Sequence, residues 1–360
     1  MMERPGHRLR TGYTTGACAS AAAKAAWLAL VTGRFPETVR IMLPGGERPE
    51  FSLALAEMEE GAARAGVVKD AGDDPDVTHG ALVISRVRPL PPGSGIVFRA
   101  GEGVGTVTLP GLPVPPGEPA INPGPRLMIR QALAEAAEEA GLDAPEDLEI
   151  TISIPGGEEL ARKTMNARLG IVGGLSVLGT TGIVRPYSCA AWIAAIREGV
   201  DVARALGLTH IVGATGRTSE QAAAKHYDLP EQALIDMGDF AGGLLKYVRA
   251  HPVPRLTIAG GPAKLAKLGQ GALDLHSRRS AVDMAGLARW CGMPEVADAN
   301  SVANALKLAP QLAGIIAEKA LSTMLAVLRD APVRAGVLVV GRDGAVLAEV
   351  SAPDDRPGGG

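Results

Sequence analysis

Threonines and glycines crowd the segment RTGYTTGACASAAAKAA, residues 10–26, which then becomes almost pure alanine. Thr11, Thr14 and Thr15 stand at the start of the helix that the alanines predict. Hydroxyl oxygens and unpaired backbone amides at such a position can bind an anion. Capping of the helix by the same hydroxyls is the alternative. A loop that holds an anion or another polar ligand and a plain helix cap are therefore both open.

A second polar cluster, KDAGDDPDVTHG, places four aspartates and one histidine within residues 69–80. Carboxylates can bind a hard cation, but the spacing does not match an EF-hand loop, and Asp and Gly also form turns by themselves. A structural or substrate-facing loop is therefore expected rather than a metal site. His79 could carry a proton, because imidazole has a pKa of about 6.5. An ordinary hydrogen-bonded histidine is the alternative.

Three glycine-containing loops, GATGRTSE, DMGDF and AGGPAK, each follow a predicted strand. In open α/β sheets, ligands bind beyond the carboxyl ends of the strands, where glycine lets the backbone approach the ligand. These loops indicate a nucleotide-like cofactor, with Asp236 accepting hydrogen bonds from a ribose diol. Simple strand ends and helix caps are the alternative. The candidate cofactor-binding residues here are Gly213, Thr215, Gly216 and Asp236.

The segment LGIVGGLSVLGTTGIVRPYS, residues 169–188, is apolar and rich in glycine. It has no Lys after a glycine, so it is not a phosphate-binding P-loop, and it lacks the G-x-G-x-x-G pattern. A binding loop and a tightly packed turn both explain it. Its candidate cofactor-binding residues are Gly173, Gly174, Thr180 and Thr181.

Basic side chains concentrate in GPAKLAKLGQGALDLHSRRS, residues 261–280. Clustered cations in an acidic chain suit a ligand that carries several carboxylates. A solvated helix face is the alternative. The candidate substrate-binding residues are Lys264, His276 and Arg278.

The composition limits the class of protein. The chain has 360 residues, 46% of them hydrophobic and 21% charged, with a net charge of −3, which disfavours nucleic acid as a partner. No apolar run reaches the length of a membrane span, and no secretory signal is present. The three cysteines are far apart and form no metal or disulfide pattern. We therefore expect a cytoplasmic protein with no membrane segment and no metal of its own.

The elements that position these residues change character along the chain. Up to residue 125 the pattern predicts short strands and turns around one Ala-rich helix, an α+β part with a mostly antiparallel sheet. Residues 126–352 alternate strands with helices, which predicts an α/β Rossmann-like domain with a mainly parallel sheet. The first domain would carry substrate-binding loops and the second cofactor-binding loops. Residues 353–360 are expected to be a disordered tail.

Five segments, in this order, are similar to signatures of the cobalt-precorrin-5B (C1)-methyltransferases of anaerobic cobalamin biosynthesis. They are RTGYTTGACASAAAKAA, KDAGDDPDVTHG, GEGVGTVTLPGLPVPPGEPAINPGPRLMI, NARLGIVGGLSVLGTTGIVRPYS and GPAKLAKLGQGALDLHSRRS. The resemblance implies that S-adenosylmethionine methylates ring carbon C1 of a cobalt tetrapyrrole, giving cobalt-precorrin-6A. Cobalt would arrive inside the substrate, and Thr11, Thr14 and Thr15 would bind its carboxylates.

A methyl carried on a sulfonium needs no protein nucleophile, so the resemblance leaves catalysis mainly to alignment of the two reactants. A base could shape the electron density of the macrocycle, and Asp74 and His79 are the candidate catalytic residues. Two other functions stay open: a non-catalytic tetrapyrrole carrier, and a nucleotide-dependent transferase acting on a small acid. A homodimer is expected because closed two-fold assemblies are common.

Overall fold

The computed structural model describes residues 9–353 and divides the chain into two compact units, Met1–Cys189 and Ala190–Gly360. The chain is a mixed α/β protein with several sheets, as the sequence predicts. Within residues 9–353, every helix is too short or too polar to span a bilayer. The predicted disordered tail, apart from Pro353, lies outside the described residues.

The first unit contains eleven strands and three helices among its described residues. In chain order they are β1 (Gly12–Tyr13), α1 (Thr15–Thr32), β2 (Thr38–Arg40), β3 (Glu50–Ser52), β4 (Leu55–Glu59), β5 (Ala62–Val68), β6 (Leu82–Pro89), β7 (Ile96–Ala100), β8 (Thr106–Val107), α2 (Pro123–Ala140), β9 (Leu148–Ser153), α3 (Gly157–Ala161), β10 (Ile171–Val172) and β11 (Ile183–Val184).

A five-stranded sheet in the order β4-β5-β6-β9-β7 forms the centre of this unit. Its first three strand pairs are antiparallel, and β9 pairs with β7 in parallel. Three small antiparallel pairs surround it: β2 with β3, β8 with β10, and β1 with β11. The pairing of β1 with β11 brings the two ends of the unit together.

Helix α1 lies at the core of the first unit, where nearly all of its residues are buried against α2, β5 and β6. Its alanines explain this position, because small side chains let neighbouring elements approach closely. The buried Lys24 is the exception, and its ammonium group lies 2.7 Å from a Glu139 oxygen on α2 and donates to the Arg40 carbonyl oxygen. The side chains of α1 therefore hold α2 within the first unit.

The predicted domain boundary after residue 125 differs from this division, which falls between Cys189 and Ala190. Helix α2 packs along α1, and β9 is inserted between β6 and β7 in the first sheet. The sequence places both elements after the boundary because their local pattern resembles that of the second half. Only long-range pairing assigns them to the first unit.

The second unit contains five strands and seven helices among its described residues. They are α4 (Cys189–Ala205), β12 (His210–Ala214), α5 (Arg217–Tyr227), β13 (Leu234–Asp236), α6 (Ala241–Ala250), β14 (Arg255–Gly260), α7 (Pro262–Gly269), α8 (Met284–Cys291), α9 (Val302–Leu308), α10 (Leu312–Leu328), β15 (Arg334–Val340) and β16 (Val346–Ser351), with 3₁₀ turns at Glu231–Ala233 and Pro294–Asp298.

The sheet of the second unit has the order β13-β12-β14-β15-β16. Its first three pairs are parallel and the last is antiparallel. Apolar side chains from one face of the sheet pack with α4, α6, α7 and α10, whereas α5 packs on the other face. From β12 the chain goes to β13 on one side and then to β14 on the other. The strand order therefore reverses between β12 and β14.

Candidate functional site

A cavity of about 770 Å³ opens at this reversal, beside the carboxyl ends of β12, β14 and β15. Parallel α/β sheets bind ligands at such a position, because the loops that leave adjacent strands diverge there and leave a crevice. The volume lies within the range of small-molecule sites, about 300–1,000 Å³. The lining residues come from four segments: Thr215–Ser219, Gly261–Lys264, Ser301–Ala303 with Leu306, and Val340–Asp343 with Leu347.

Backbone groups form much of this cavity. Thr215 donates its amide hydrogen to the carbonyl oxygen of Ala259 at 3.0 Å, which ties the loop after β12 to the end of β14. Gly216 and Gly261 precede α5 and α7, and neither helix has a side-chain cap. A Cβ atom added at either glycine would meet no atom within 4 Å. The loops thus present uncapped helix starts beside open space, an arrangement suited to the carboxylate of a ligand.

Three cationic side chains line the cavity together with one acid, Asp343. Arg217 and Arg342 are exposed and make no hydrogen bond or ion pair with any residue in the described part of the chain. Lys264 is engaged: its ammonium group donates to the Thr215 carbonyl oxygen at 2.7 Å and lies 3.1 Å from Asp239 Oδ1. The guanidinium groups can therefore meet an anionic ligand, while Lys264 holds the loops.

The structure places the predicted residues of the second unit in different surroundings. Thr215, Gly216 and Lys264 line the same cavity, although the sequence assigned the first two to the cofactor and the third to the substrate. Gly213 is buried inside β12, where an added Cβ would overlap Leu244 of α6. Asp236 ends β13 and does not line the cavity. Close packing against α6 therefore explains why position 213 is a glycine, and a direct contact with a ligand fits this position poorly.

His276 and Arg278 lie in an exposed turn after α7 and do not line the cavity. The amide of Arg278 donates to His276 Nδ1 at 3.2 Å, and the amide of His276 donates to Asp274 Oδ1 at 3.1 Å. These contacts give both residues a role in the turn. Their contact with substrate stays a prediction.

In the first unit, three segments that are distant in sequence converge. The Tyr13 amide donates to the Asp70 carbonyl oxygen at 2.7 Å, and the Thr14 amide donates to the Gly182 carbonyl oxygen at 3.0 Å. The Tyr187 amide donates to Asp74 Oδ1 at 2.8 Å. This convergence, which we call the threonine–aspartate cluster, brings together Thr11, Thr14, Thr15, Asp74, His79, Thr180 and Thr181.

The first amides of α1 already have partners. Gly16 donates to the Leu178 carbonyl oxygen at 3.0 Å, and Ala17 donates to Thr14 Oγ1 at 3.2 Å. Thr15 is buried, whereas the side chains of Thr11, Thr180 and Thr181 belong to exposed residues. These contacts favour the helix-cap interpretation for Thr14. The Thr181 hydroxyl bonds to the backbone of Ile183, so Thr11 and Thr180 remain as the exposed threonines of the cluster whose hydroxyls could meet a ligand.

A buried ion pair anchors the aspartate loop, residues 69–80. The side chain of Lys69 is 2% exposed, and its ammonium group contacts Asp76 Oδ2 and Thr78 Oγ1. Burial alone would raise the pKa of Asp76, but Lys69 and the hydrogen bonds from Thr78 outweigh it and lower the pKa. At the exposed end, His79 Nδ1 accepts the Ala71 amide at 3.1 Å. A neutral His79 therefore carries its proton on Nε2.

Each of the four aspartates of this loop has a partner within the protein, which supports the structural interpretation. Asp70 pairs with Arg10, Asp73 accepts the Arg10 amide at 2.7 Å, and Asp74 and Asp76 have the partners described above. Within residues 9–353, no group of three or more His, Cys, Asp or Glu side chains is arranged to hold a metal ion.

Gly173 and Gly174 form a packed turn. Gly174 is buried against the backbone of Gly103, where an added Cβ would collide, and its carbonyl oxygen accepts the side-chain amide of Asn166 at 3.1 Å. Gly173 has a φ of +86°, a value that favours glycine. Packing and backbone conformation explain both glycines, and a cofactor contact stays a prediction.

The sequence interpretation missed Arg342 and the helix start at Ser301. The signal for Arg342 is present, since RAGVLVVGRDG is an apolar run that ends in a glycine-flanked turn, like the other strand ends. The Ser301 hydroxyl caps α9 by accepting the Asn304 amide at 3.2 Å. No apolar strand precedes this helix, so no comparable sequence signal indicated that Ser301–Ala303 would line the cavity.

The sequence of this chain matches known proteins along most of its length. The profile of the family described as CbiD matches residues 2–186, and that described as CbiD, C-terminal domain matches residues 274–351. The cobalt-precorrin-5B C(1)-methyltransferases of Brucella anthropi and Brucella canis are each 58% identical over 95% of this chain and 96% of their own length.

A solved cobalamin biosynthesis protein (cbiD) from Archaeoglobus fulgidus is 29% identical to the chain, with a TM-score of 0.40, and covers 81% of this chain and 82% of its own. The two profile matches and the identity to the Brucella proteins lead to one conclusion. The chain belongs to the CbiD family.

Proposed function

We propose that this protein is a methyltransferase that methylates C1 of cobalt-precorrin-5B to give cobalt-precorrin-6A in anaerobic cobalamin biosynthesis. The observation that carries the proposal is the 58% identity to the Brucella anthropi enzyme over 95% of the chain. A match over 95% of the chain includes most of both units.

S-adenosylmethionine is the proposed methyl donor, and it supplies the methyl group from its sulfonium. The cavity of the second unit has a suitable volume and two uncapped helix starts. The amides at the start of α5 would bind the donor carboxylate, with Thr215 and Gly216 beside it. Asp236 would accept hydrogen bonds from the ribose. Lys264 is proposed to position the loops rather than to bind a reactant, because its ammonium group already bonds Thr215.

The tetrapyrrole substrate carries several carboxylates and brings its own cobalt. Arg217 and Arg342 are proposed to bind some of these carboxylates, since both guanidinium groups are exposed at the cavity. In the first unit, Thr11 is exposed and is a separate candidate for contact with a substrate carboxylate, whereas the cofactor contacts of Thr180 and Thr181 stay predictions. Arg278 and His276 are further candidates because both are exposed.

For the first unit we propose that His79 is the proton-transfer residue. Its Nδ1 atom accepts the Ala71 amide, so Nε2 is the ring nitrogen that would exchange a proton with the macrocycle. Asp74 would act through position, since its carboxylate already accepts the Tyr187 amide and thereby holds the segment after β11. Catalysis otherwise consists of aligning the methyl group with C1 and excluding water.

Four further properties complete the proposal. The parallel strands and the helices on both faces support a Rossmann-like second unit, and the antiparallel pairs support a mostly antiparallel first sheet. A homodimer is proposed because closed two-fold assemblies are common. A cytoplasmic location is proposed because the three cysteines are free thiols, which suits a reducing compartment.

A single-turnover assay under anaerobic conditions tests the function. Purified protein is mixed with cobalt-precorrin-5B and S-adenosylmethionine labelled on its methyl group. One labelled methyl at C1 of the product is the expected result. Tetrapyrrole binding without methyl transfer, and with no binding of the donor, would favour a carrier and refute the proposal. A melting temperature raised more by ATP than by S-adenosylmethionine would favour the nucleotide-dependent transferase.

A further inference from the structure

Trp192 presents an aromatic face that the folding of the second unit does not explain. Its side chain is 47% exposed, although aromatic residues make up only 3% of the chain. The ring is nevertheless fixed: its Nε1–H donates to the Asp236 carbonyl oxygen at 3.0 Å, and the Phe240 ring lies 6.3 Å away, tilted by 52°. An indole that is both exposed and held in place is suited to binding a planar ligand.

Backbone contacts connect this indole to one of the loops that line the cavity. A Cβ added at Gly238 would lie 3.3 Å from Trp192 Cζ2, so the ring packs against this glycine, whose φ is +56°. The Gly238 amide donates to the carbonyl oxygen of Ala214 at 3.1 Å. Thr215, which follows Ala214, lines the cavity. The aromatic face and the cavity therefore lie on the same edge of the sheet, at the ends of adjacent strands.

The polar groups at this strand end suit a neutral ring. Asp236, the last residue of β13, accepts the indole Nε1–H through its carbonyl oxygen, and the Asp239 carboxylate lies 3.1 Å from the Lys264 ammonium group. The Asp236 carboxylate can accept hydrogen bonds from the hydroxyls of a ribose or from an exocyclic amino group. A purine nucleoside fits this position, because its base is planar and uncharged and its ribose carries hydroxyl donors.

We propose that the exposed face of Trp192 is the base subsite of the methyl donor, on which adenine stacks while the rest of the donor enters the cavity. This inference rests on the proposed function. It adds a binding residue outside the cavity lining. Asp236 would then act through two groups. Its carbonyl oxygen orients the indole, and its carboxylate would accept hydrogen bonds from the ribose.

Titration calorimetry with S-adenosylhomocysteine, the product of the donor, tests the subsite without turnover. Loss of base stacking in Trp192→Ala is expected to weaken binding about 5- to 150-fold. Trp192→Phe keeps a ring and should retain most of the affinity. Trp290→Phe is the matched control, because it makes the same change at a tryptophan outside the proposed subsite. Trp290 lies on α8, and the Lys319 ammonium group is 6.0 Å from its ring. The control should bind like the wild type.

Tryptophan fluorescence gives a second readout. Adding S-adenosylhomocysteine or adenosine should quench the wild type and Trp290→Phe but not Trp192→Phe. This comparison remains informative if the alanine variant unfolds, because the phenylalanine variant changes only the ring system.

The outcomes separate the two proposals. Binding by the wild type that is unchanged in Trp192→Ala would overturn the base subsite and leave the proposed function standing. Equal losses in the folded alanine and phenylalanine variants would also overturn it, since stacking would not be the cause. If the wild type binds no S-adenosylhomocysteine, both proposals fall.

Discussion

The ion pair between Lys69 and Asp76 predicts an unequal response to removal of its two members. Asp76→Asn removes the ionic partner of Lys69, whose side chain is 2% exposed, and leaves its ammonium group with neutral oxygen acceptors such as the Thr78 hydroxyl. An unpaired buried charge of this kind costs about 3 kcal/mol of unfolding free energy. Lys69→Met removes the buried charge instead. The Asp76 side chain is 24% exposed and still accepts hydrogen bonds from the Thr78 amide at 2.7 Å and the Thr78 hydroxyl at 2.6 Å. Lys69→Met should therefore lower the unfolding free energy by only about 1 kcal/mol.

Unfolding of the first unit can be followed by itself. The chain has three tryptophans, and Trp27 is the one in α1, whereas Trp192 and Trp290 belong to the second unit. With the latter two changed to phenylalanine, urea unfolding monitored by fluorescence reports the surroundings of Trp27. The two ion-pair variants and the double variant are compared in this background.

The result that would refute the reasoning is a loss in Lys69→Met equal to or larger than that in Asp76→Asn. The pH dependence adds a check. Because the folded pKa of Asp76 is lowered from its ordinary value of 3.8, its ionised form stabilises the fold above that value. The difference between wild type and Asp76→Asn should be fully present at pH 7. It should shrink as the pH falls below about 4, and a difference that stays constant to pH 3 would contradict this.

Three other predictions concern the second unit. Burial lowers the pKa of His210 to about 4 from 6.5, so the wild type should lose stability as the pH falls from 6.5 towards 4; the melting temperature of His210→Gln should decline less over this range. Arg217→Gln and Arg342→Gln should each raise the KM for cobalt-precorrin-5B about 5- to 10-fold, as for a lost charged contact of about 1 kcal/mol, and Arg342→Lys should recover part of it; unchanged KM values would remove both from the substrate site. Gly213→Ala should lower the melting temperature, because its methyl group would overlap a leucine of α6. Gly216→Ala places its methyl group in open space, so it should keep the melting temperature and weaken S-adenosylhomocysteine binding. Equal melting temperatures of the two variants would contradict the packing explanation.

Local patterns predict the elements that carry them. The alanine run predicts a helix over residues 17–31, and the structure has it at Thr15–Thr32, capped by Thr14 as the hydroxyl pattern allows. The rule for parallel sheets correctly brings the loops after β12 and β14 to one cavity. In these cases a short stretch of sequence contains the physical cause, either a helix cap or a glycine at a strand end.

Long-range pairing decides the rest. The loop after β13 does not line the cavity because β13 is the edge strand, and the turn after β15 takes part instead. Strand order is absent from local periodicity. The same limit applies to β9, whose apolar alternation gives no sign that it lies between β6 and β7. Strands β1 and β11 have two residues each and carry no periodic signal at all.

The pairing of β1 with β11 has a consequence for how such a chain can evolve. Gly12 lies opposite Val184, so the first described strand of the first unit pairs with its last one. A segment closed in this way can be duplicated, fused or inserted into another gene as one block, because joining its adjacent ends to a new chain disturbs little of its packing. The CbiD profile ends at residue 186, two residues after β11, which agrees with inheritance of the first unit as a block.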